Sequence, residues 1–200
     1  MPIFDHFDFL APYYETFIRP RLPQELMTLA ALPVEGALLD IGGGTGRVAQ
    51  FMAGHAHPVV VADLSLPMLA EAQQKEALQP VAAHSERLPF ADGAFARIVM
   101  VDALHHVIDQ RATAGELWRT LQPGGRIVIE EPDVRTFAVK LLALAEKLAL
   151  MRSHFLDPAQ IAALFNHPDA RVRIQTSGLN SWVIVEKARL LPDVRAEERT

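Results

Sequence analysis

The chain contains no cysteine among its 200 residues. Disulfide bonds, thiolate metal sites and cysteine nucleophiles are therefore excluded, and a cytoplasmic location is expected. Dense basic runs are also missing, since 19 Lys and Arg stand against 24 Asp and Glu, which gives a formal net charge of -5. A chain of this charge is poorly suited to bind nucleic acid or an anionic membrane.

Long uninterrupted apolar runs are absent as well. The longest apolar helix candidate, Phe137 to Met151, is interrupted by Lys140, Glu146 and Lys147, so no segment is expected to span a bilayer. The first residues carry acids early and lack the basic region of a signal peptide. Half of the residues are apolar, and this length and composition predict a single domain with a substantial core.

Short apolar runs alternate with longer helical patterns from residue 37 onward. The runs that predict strands are ALLDIG, PVVVAD, PVAAH, ARIVMVD and GGRIVIEEP. Runs of this kind are typical of strands buried on both faces, and repeated strand–helix units predict a parallel sheet. Two later runs, at 170–176 and 181–187, predict a closing antiparallel hairpin whose link is longer than two residues. The stretch LQPGG is expected to end a helix.

The stretch LLDIGGGTGR places four glycines directly after the first apolar run. It predicts a strand–loop–helix turn whose loop is the floor of a ligand site, because ligands of such sheets bind beyond the carboxyl ends of the strands. A tight turn that serves only packing is the alternative. The dinucleotide fingerprint G-x-G-x-x-G fails in both registers, at Arg47 and at Thr45. The loop instead reads G-x-G-x-G after Asp40, which does not favour a pyrophosphate.

Asp63 closes the second apolar run. A carboxylate at that place can accept hydrogen bonds from both hydroxyls of a ribose. The alternative is a helix N-cap, a role that Asp63 or Ser65 could fill. The glycine loop and Asp63 together indicate a nucleoside ligand that lacks a diphosphate.

Four stretches in order resemble the motifs of class I S-adenosylmethionine-dependent methyltransferases. They are LLDIGGGTGR, VVVADLS, SERLPFADGAFARIVMVDALHHV and LQPGGRIVIEEP, and the resemblance covers roughly residues 4 to 132. The nearest group is the small-molecule one that includes the ubiquinone and menaquinone biosynthesis methyltransferases. The resemblance implies an α/β fold with a Rossmann-like, doubly wound seven-stranded sheet. This sheet would be mostly parallel with a C-terminal antiparallel hairpin, in the order 3-2-1-4-5-7-6. The implied cofactor is S-adenosyl-L-methionine, released as S-adenosyl-L-homocysteine.

The resemblance also implies which residues contact the cofactor. These are Tyr14, Asp40, Gly42, Gly44, Gly46, Asp63, Leu64, Met68, Ser85, Glu86 and Asp102. The glycine loop would line the methionine part, Asp63 would hold the ribose, and Leu64 and Met68 would pack on the adenine. His84 stands where the family often has an acid that binds the adenine amino group. A neutral His84 imidazole could accept one hydrogen bond there, or the backbone at Ser85 could replace the acid. Asp102 would contact the methionine amine or order its loop.

Methyl transfer from a sulfonium requires a donor and an acceptor that are close, aligned and dry. We predict that His105 or His106, after the fourth strand, deprotonates or orients the acceptor, because histidine titrates near neutral pH. Alternatively, one histidine caps the loop and the other fills a helix start. Glu130 and Glu131 either contact a substrate or form a solvated strand end. No metal site is expected.

The expected segments are an N-terminal helical cap at 1–35, a cofactor-binding core at 36–132, a helical substrate or lid region at 133–169 and the closing hairpin at 170–188. Apolar stripes at Phe4 to Phe17 and Thr136 to Phe155 predict a pocket for a small apolar or aromatic acceptor, or a homodimer interface. A methyltransferase-like protein that binds a cofactor or partner without turnover is the main alternative. A nicotinamide-dependent enzyme is the weaker one.

Overall fold

The computed structural model describes residues 23–136, 139 and 153–189. This part contains a seven-stranded sheet in the order β3-β2-β1-β4-β5-β7-β6. The strands are β1 (Leu38–Ile41), β2 (Val59–Asp63), β3 (Leu78–Ala82), β4 (Phe95–Val101), β5 (Leu121–Pro132), β6 (Ala170–Ser177) and β7 (Asn180–Lys187). Strands β1 to β5 run parallel, and β7 pairs antiparallel with β5 and β6. The predicted fold class and strand order are confirmed.

Four α-helices belong to the described part: α1 (Pro23–Leu29), α2 (Leu66–Ala72), α3 (Gln110–Thr120) and α4 (Pro158–Ala163). Three of them begin at side-chain caps, because the first backbone N–H groups of a helix lack partners. Ser65 caps α2, Asp109 caps α3, and Asp157 forms a capping box with Gln160 at α4. No helix among the described residues is long and apolar enough to cross a membrane.

The central strands are buried on both faces, as their apolar runs predict. In β4, Ile98 and Met100 join one apolar layer with α3 and α4, whereas Val99 faces the other layer with α1 and α2. The parallel register sets the ends of β1, β2 and β4 side by side, with Ile41 opposite Ala62 and Met100. The loops that follow these strands therefore meet at one edge of the sheet.

The structure corrects three local predictions. The glycine loop leads into turns and a short 3₁₀ helix (Ala49–Phe51) rather than an α-helix, because three of its glycines have positive φ. The LQPGG stretch already belongs to β5, with a register shift beside it in the β4–β5 pairing. The hairpin link has only two residues, since Ser177 pairs with Asn180 and Gly178 adopts a φ of 61° that suits a tight turn.

Candidate active site

The glycine loop packs closely against its neighbours at every glycine except Gly44. A Cβ on Gly43 would lie 2.7 Å from Asp40 Cγ, and one on Gly42 would lie 2.6 Å from Ala103 Cβ. Gly44 has a φ of 53°, but a Cβ there would meet nothing closer than Met68 Sδ at 3.8 Å and Asp63 Oδ2 at 3.9 Å. A Cβ at Gly44 would therefore make only ordinary van der Waals contacts, so it is the positive φ, and not crowding, that favours glycine there.

Asp40 lies beneath this loop and is almost completely buried, with 1% of its surface exposed. Burial raises the pKa of its carboxyl to about 7, although the Arg47 guanidinium opposes the shift. Within the described part of the chain, Asp40 Oδ2 has no hydrogen-bond partner. A buried carboxylate oxygen without a partner is costly unless a ligand or another group completes the site.

Asp63 holds the glycine loop to the start of α2. Its Oδ2 accepts a hydrogen bond from the Gly44 amide at 2.9 Å, and its Oδ1 accepts one from the Ser65 amide at 2.8 Å. A carboxylate can accept about four hydrogen bonds, so a carboxylate at this edge is chemically suited to hydroxyl donors. Ser65, rather than Asp63, is the N-cap of α2, and its Oγ accepts from the Met68 amide at 3.3 Å.

The two residues predicted to pack on an adenine differ in exposure. Leu64 is 56% exposed, whereas Met68 is 3% exposed and lies below Gly44. The Leu64 side chain is exposed enough to contact a ligand directly, whereas the buried Met68 side chain packs beside Gly44. Tyr14, which is also predicted to contact the cofactor, lies outside the described residues.

Ser85 and Glu86 join the loop after β3 to α3. Ser85 Oγ lies 3.0 Å from Thr113 Oγ1, and Glu86 Oε1 accepts a hydrogen bond from the Asp109 amide at 3.4 Å. His84 is largely exposed, with Nδ1 3.9 Å from Glu86 Oε2. Ser85 and Glu86 therefore help to hold the loop after β3 against the start of α3, in addition to the cofactor contacts predicted for them.

Asp102 directly follows β4 and lies in the left-handed region, with a φ of 51°. This conformation is uncommon for a residue other than glycine, although aspartate tolerates it better than most. The Asp102 amide donates to the Glu130 carbonyl at 3.0 Å, which holds the outlier against β5. Outliers of this kind cluster at functional sites.

Glu131 organises the loop that follows Asp102. Its Oε1 accepts hydrogen bonds from the Ala103 and Leu104 amides at 3.0 and 2.7 Å, and its Oε2 lies 2.5 Å from His105 Nδ1. Glu131 is 3% exposed, so the prediction of a solvated strand end is wrong for this residue. A carboxylate within a buried run needs partners, and the loop amides are those partners.

Glu130 is buried on the other side of β5. Its Oε1 accepts a hydrogen bond from Asn180 Nδ2 at 2.6 Å. Burial raises the pKa of Glu130, while the bond from Asn180 opposes the shift. Neither acid is a solvated strand end, because both are buried and the pairing with β7 continues to Pro132 at the end of β5.

The two histidines have different surroundings. His105 is 5% exposed, and its ring stacks on Phe155 with centroids 4.3 Å apart. His106 is only partly buried, and its Nδ1 lies 3.5 Å from Ser153 Oγ. Burial and the nearby His105 ring lower the pKa of His106 to about 4. His106 is therefore neutral at pH 7 and able to accept a hydrogen bond.

The segment at 153–155 closes on this loop from the opposite side. The His154 amide donates to the His105 carbonyl at 2.7 Å, and Gln110 Nε2 donates to both the Leu104 and His154 carbonyls. Sequence reasoning missed Gln110 as a member of the site and did not single out Ser153, whereas Phe155 belongs to the Thr136 to Phe155 stripe that predicts a pocket. Their proximity comes from the fold, since more than 40 residues separate Gln110 from His154 along the chain.

Two cavities in the described part lie at the opposite edge of the sheet. One, of about 660 Å³, is lined by residues before β1 and β2, including Glu35 and His57. The other, of about 400 Å³, is lined largely by basic residues near the start of β5 and the end of β7, including Arg126 and Arg189. The polar groups that converge at the carboxyl edge remain the stronger candidates for chemistry, because they include the unpartnered Asp40 oxygen and the Asp102 outlier.

Known proteins resemble this chain in sequence. The family described as "Methyltransferase domain" matches residues 39–129. A demethylmenaquinone methyltransferase of Mycolicibacterium vanbaalenii is 36% identical over 145 residues, which are 72% of this chain and 60% of that protein. A second one, of Mycolicibacterium gilvum, is 32% identical over 162 residues, which are 81% of this chain and 64% of that protein. The chain thus spans about 60% of the length of these relatives.

Solved structures resemble it in fold. One belongs to a complex between the Haloferax volcanii Trm112 methyltransferase activator and a methyltransferase, with a TM-score of 0.78, 15% identity and coverage of 94% of this chain and 100% of that one. A methyltransferase structure from Bacillus halodurans has a TM-score of 0.72 and 16% identity, with coverage of 84% and 99%. At these identities the likeness shows the fold alone.

Proposed function

We propose that this chain, whose residues 39–129 form a methyltransferase domain of the class I S-adenosylmethionine-dependent type, methylates a small aromatic acceptor of the quinone type. The observation that carries the proposal is the meeting of the Gly44 floor, the Asp63 carboxylate and the neutral His106 at one edge of the sheet. The demethylmenaquinone methyltransferases among its relatives support the acceptor class.

The residues at this edge fit S-adenosylmethionine, the cofactor of this family. Gly44 lies beside Met68 and Asp63 without close contacts, the buried Asp40 carboxyl lies beneath the glycine loop, and a carboxylate such as Asp63 is suited to accept hydrogen bonds from ribose hydroxyls. Met68, Leu64 and Asp102 would complete the contacts. When bound, the cofactor supplies an activated methyl group on a sulfonium.

On the acceptor side, the structure separates the two histidines that the sequence left equivalent. The His105 ring bonds to Glu131 and stacks on Phe155, so we propose that it holds the loop after β4 in place. His106 is the partly exposed, neutral imidazole. A pKa near 4 makes it a weak base, so its contribution is to accept a hydrogen bond from an acceptor hydroxyl and align it.

We also propose that the chain is divided into segments at 1–35, 36–132, 133–169 and 170–188, that it is cytoplasmic and that it forms a homodimer. The stripe at Phe4 to Phe17 lies outside the described residues, and the one at Thr136 to Phe155 is described only at 136, 139 and 153–155.

The test is transfer of labelled methyl from S-adenosylmethionine to a short-chain demethylmenaquinone in its reduced form. The wild type should yield labelled product. Asp63→Ala should lose turnover at limiting cofactor through weaker cofactor binding, and His106→Ala should lower turnover about tenfold at saturating cofactor because alignment is lost.

Arg171→Ala is the control, because Arg171 is exposed on β6 at the far side of the sheet. Binding of S-adenosylhomocysteine without transfer to any aromatic acceptor would favour the alternative, a protein that holds the cofactor without turnover. Unchanged turnover in His106→Ala would remove the aligning role from this residue.

A further inference from the structure

We propose that Glu131 is a positioning residue of this site, whose carboxylate fixes the backbone at Asp102 and so sets the affinity for the cofactor. The proposal rests on the proposed function, because it takes Asp102 as a cofactor contact. In this proposal a residue at the end of β5 controls the conformation of Asp102, which follows the neighbouring strand β4.

Glu131 is itself rigidly placed. Its backbone pairs with Ser181 in the β5–β7 ladder, and Ser181 Oγ donates to the Glu131 carbonyl at 3.3 Å. The side chain is 3% exposed, and both carboxylate oxygens are used. A buried carboxylate whose two oxygens are both hydrogen-bonded has little freedom to move, so it restricts the conformation of the loop that binds it.

The Asp102 conformation depends on bonds on both sides of it. Its own amide is held by the Glu130 carbonyl at 3.0 Å, and the next amide, of Ala103, is held by Glu131 Oε1 at 3.0 Å. A left-handed φ at a non-glycine residue persists only where the surroundings over-determine it. The two bonds flank the φ of 51° at Asp102 and supply that constraint.

The other contacts of Glu131 make the constraint stiff. The Leu104 amide and the His105 ring are bound to the same carboxylate, so the loop cannot rotate about Ala103 alone. Loss of the carboxylate would release these groups together, and Asp102 would relax toward an ordinary φ. Its side chain would then leave the place from which it contacts a ligand.

A purely structural role would give a different energetic pattern. In that case removal of the Glu131 carboxylate would weaken ligand binding by the same factor whether or not Asp102 is present. If Glu131 acts through Asp102, its effect on binding should vanish once the Asp102 side chain is gone. A double-mutant cycle separates the two, because contacting residues are non-additive when they share one effect.

The experiment is calorimetric titration with S-adenosylhomocysteine on the wild type, Glu131→Ala, Asp102→Gly and the double variant. We expect Glu131→Ala to weaken binding about tenfold in the wild-type background and by less than about twofold in the Asp102→Gly background. Glu131→Gln keeps an oxygen for the loop amides and should restore most of the affinity. Glu186→Gln, an ion-paired carboxylate at the opposite edge, is the matched control and should bind like the wild type.

A second readout needs no ligand. The three-bond coupling between the Asp102 amide and Hα protons reports φ, and amide exchange reports the Ala103 and Leu104 bonds. Both should change in Glu131→Ala and not in Glu186→Gln. If Glu131→Ala does not fold, Glu131→Asp, shorter by one methylene, replaces it in both readouts.

Equal losses of affinity in both backgrounds would overturn the proposal, and so would unchanged affinity in folded Glu131→Ala. An unchanged Asp102 coupling would overturn it as well. Failure of the wild type to bind S-adenosylhomocysteine would instead reject the proposed function, together with the claim about affinity.

Discussion

At the scale of residues, the carboxyl edge of the sheet is dominated by acids whose main partners are backbone amides. Asp63 binds the amides of Gly44 and Ser65, and Glu131 binds those of Ala103 and Leu104. Each acid therefore fixes a loop that follows a neighbouring strand. The geometry of these two loops, the glycine loop and the loop that follows Asp102, is set by charge-assisted hydrogen bonds rather than by apolar packing alone.

Asp40 gives a prediction on pH. Its pKa in the folded state is raised from 3.8 to about 7, so the folded protein binds this proton more tightly than the unfolded chain does. Its contribution to the free energy of unfolding therefore falls as the pH rises from about 4 to 7 and is fully lost above the folded pKa. Asp40→Asn should remove this loss and increase stability at pH 8 by roughly 2–4 kcal/mol.

Urea unfolding of ligand-free wild type and Asp40→Asn at pH 5 and pH 8 measures the difference. The variant should lose less stability between the two values than the wild type. Parallel pH dependence in the two proteins would show that Asp40 is ionised in the folded state without cost.

At the scale of elements, the short helix α1 depends on side chains from the sheet. The last carbonyls of a helix lack partners within it, and here two arginines supply donors. Arg97 Nε and Nη2 donate to the Ala30 and Ala31 carbonyls at 2.5 and 3.3 Å, and Arg126 Nη1 donates to the Leu29 carbonyl at 2.7 Å. Burial and the nearby Arg126 guanidinium lower the pKa of Arg97.

Arg97→Met should release the end of α1. The substitution leaves two carbonyls without their donor, and we expect a loss of about 1–3 kcal/mol in the free energy of unfolding. Hydrogen exchange should accelerate at the amides of residues 26–31 more than in β4 itself.

Arg171→Met, a change of the same chemistry on the exposed edge strand β6, is the control and should stay within about 0.5 kcal/mol of the wild type. Uniformly faster exchange throughout the sheet would contradict a role confined to α1.

At the scale of the whole molecule, the sheet separates two apolar layers and brings its loops together at one edge. A ligand bound at that edge would contact the loops after β1, β2 and β4. A ligand that binds only the folded protein raises its apparent stability, by about 2.7 kcal/mol at a hundred times the dissociation constant.

S-adenosylhomocysteine should therefore raise the melting temperature by roughly 5–10 °C at that concentration, whereas NAD should leave it unchanged. The reason is the G-x-G-x-G loop with Asp40 beneath it, which does not offer a site for a pyrophosphate. A differential scanning measurement of both ligands checks this, with Asp63→Ala as the reference for weakened binding. A larger shift with NAD would support the nicotinamide-dependent alternative.

The sequence by itself determined the sheet and its cofactor edge. Val- and Ile-rich runs separated by helical patterns predict strands buried on both faces, because only such runs can lie between two layers of helices. The placement of the glycines and Asp63 at strand ends followed from the same pattern, which is local and can be read without coordinates. The order of the strands was implied by the family resemblance.

Only the tertiary structure decided what the side chains at that edge do. The burial of Glu131 and its bond to His105, the separation of His105 from His106, and the left-handed backbone of Asp102 all depend on which loops meet above neighbouring strands. The two-residue hairpin turn and the 3₁₀ helix after the glycine loop depend on register and positive φ in the same way. Contacts between residues far apart in the chain leave no periodicity in the sequence, which is why the pairing of an acid with a distant loop could not be predicted from it.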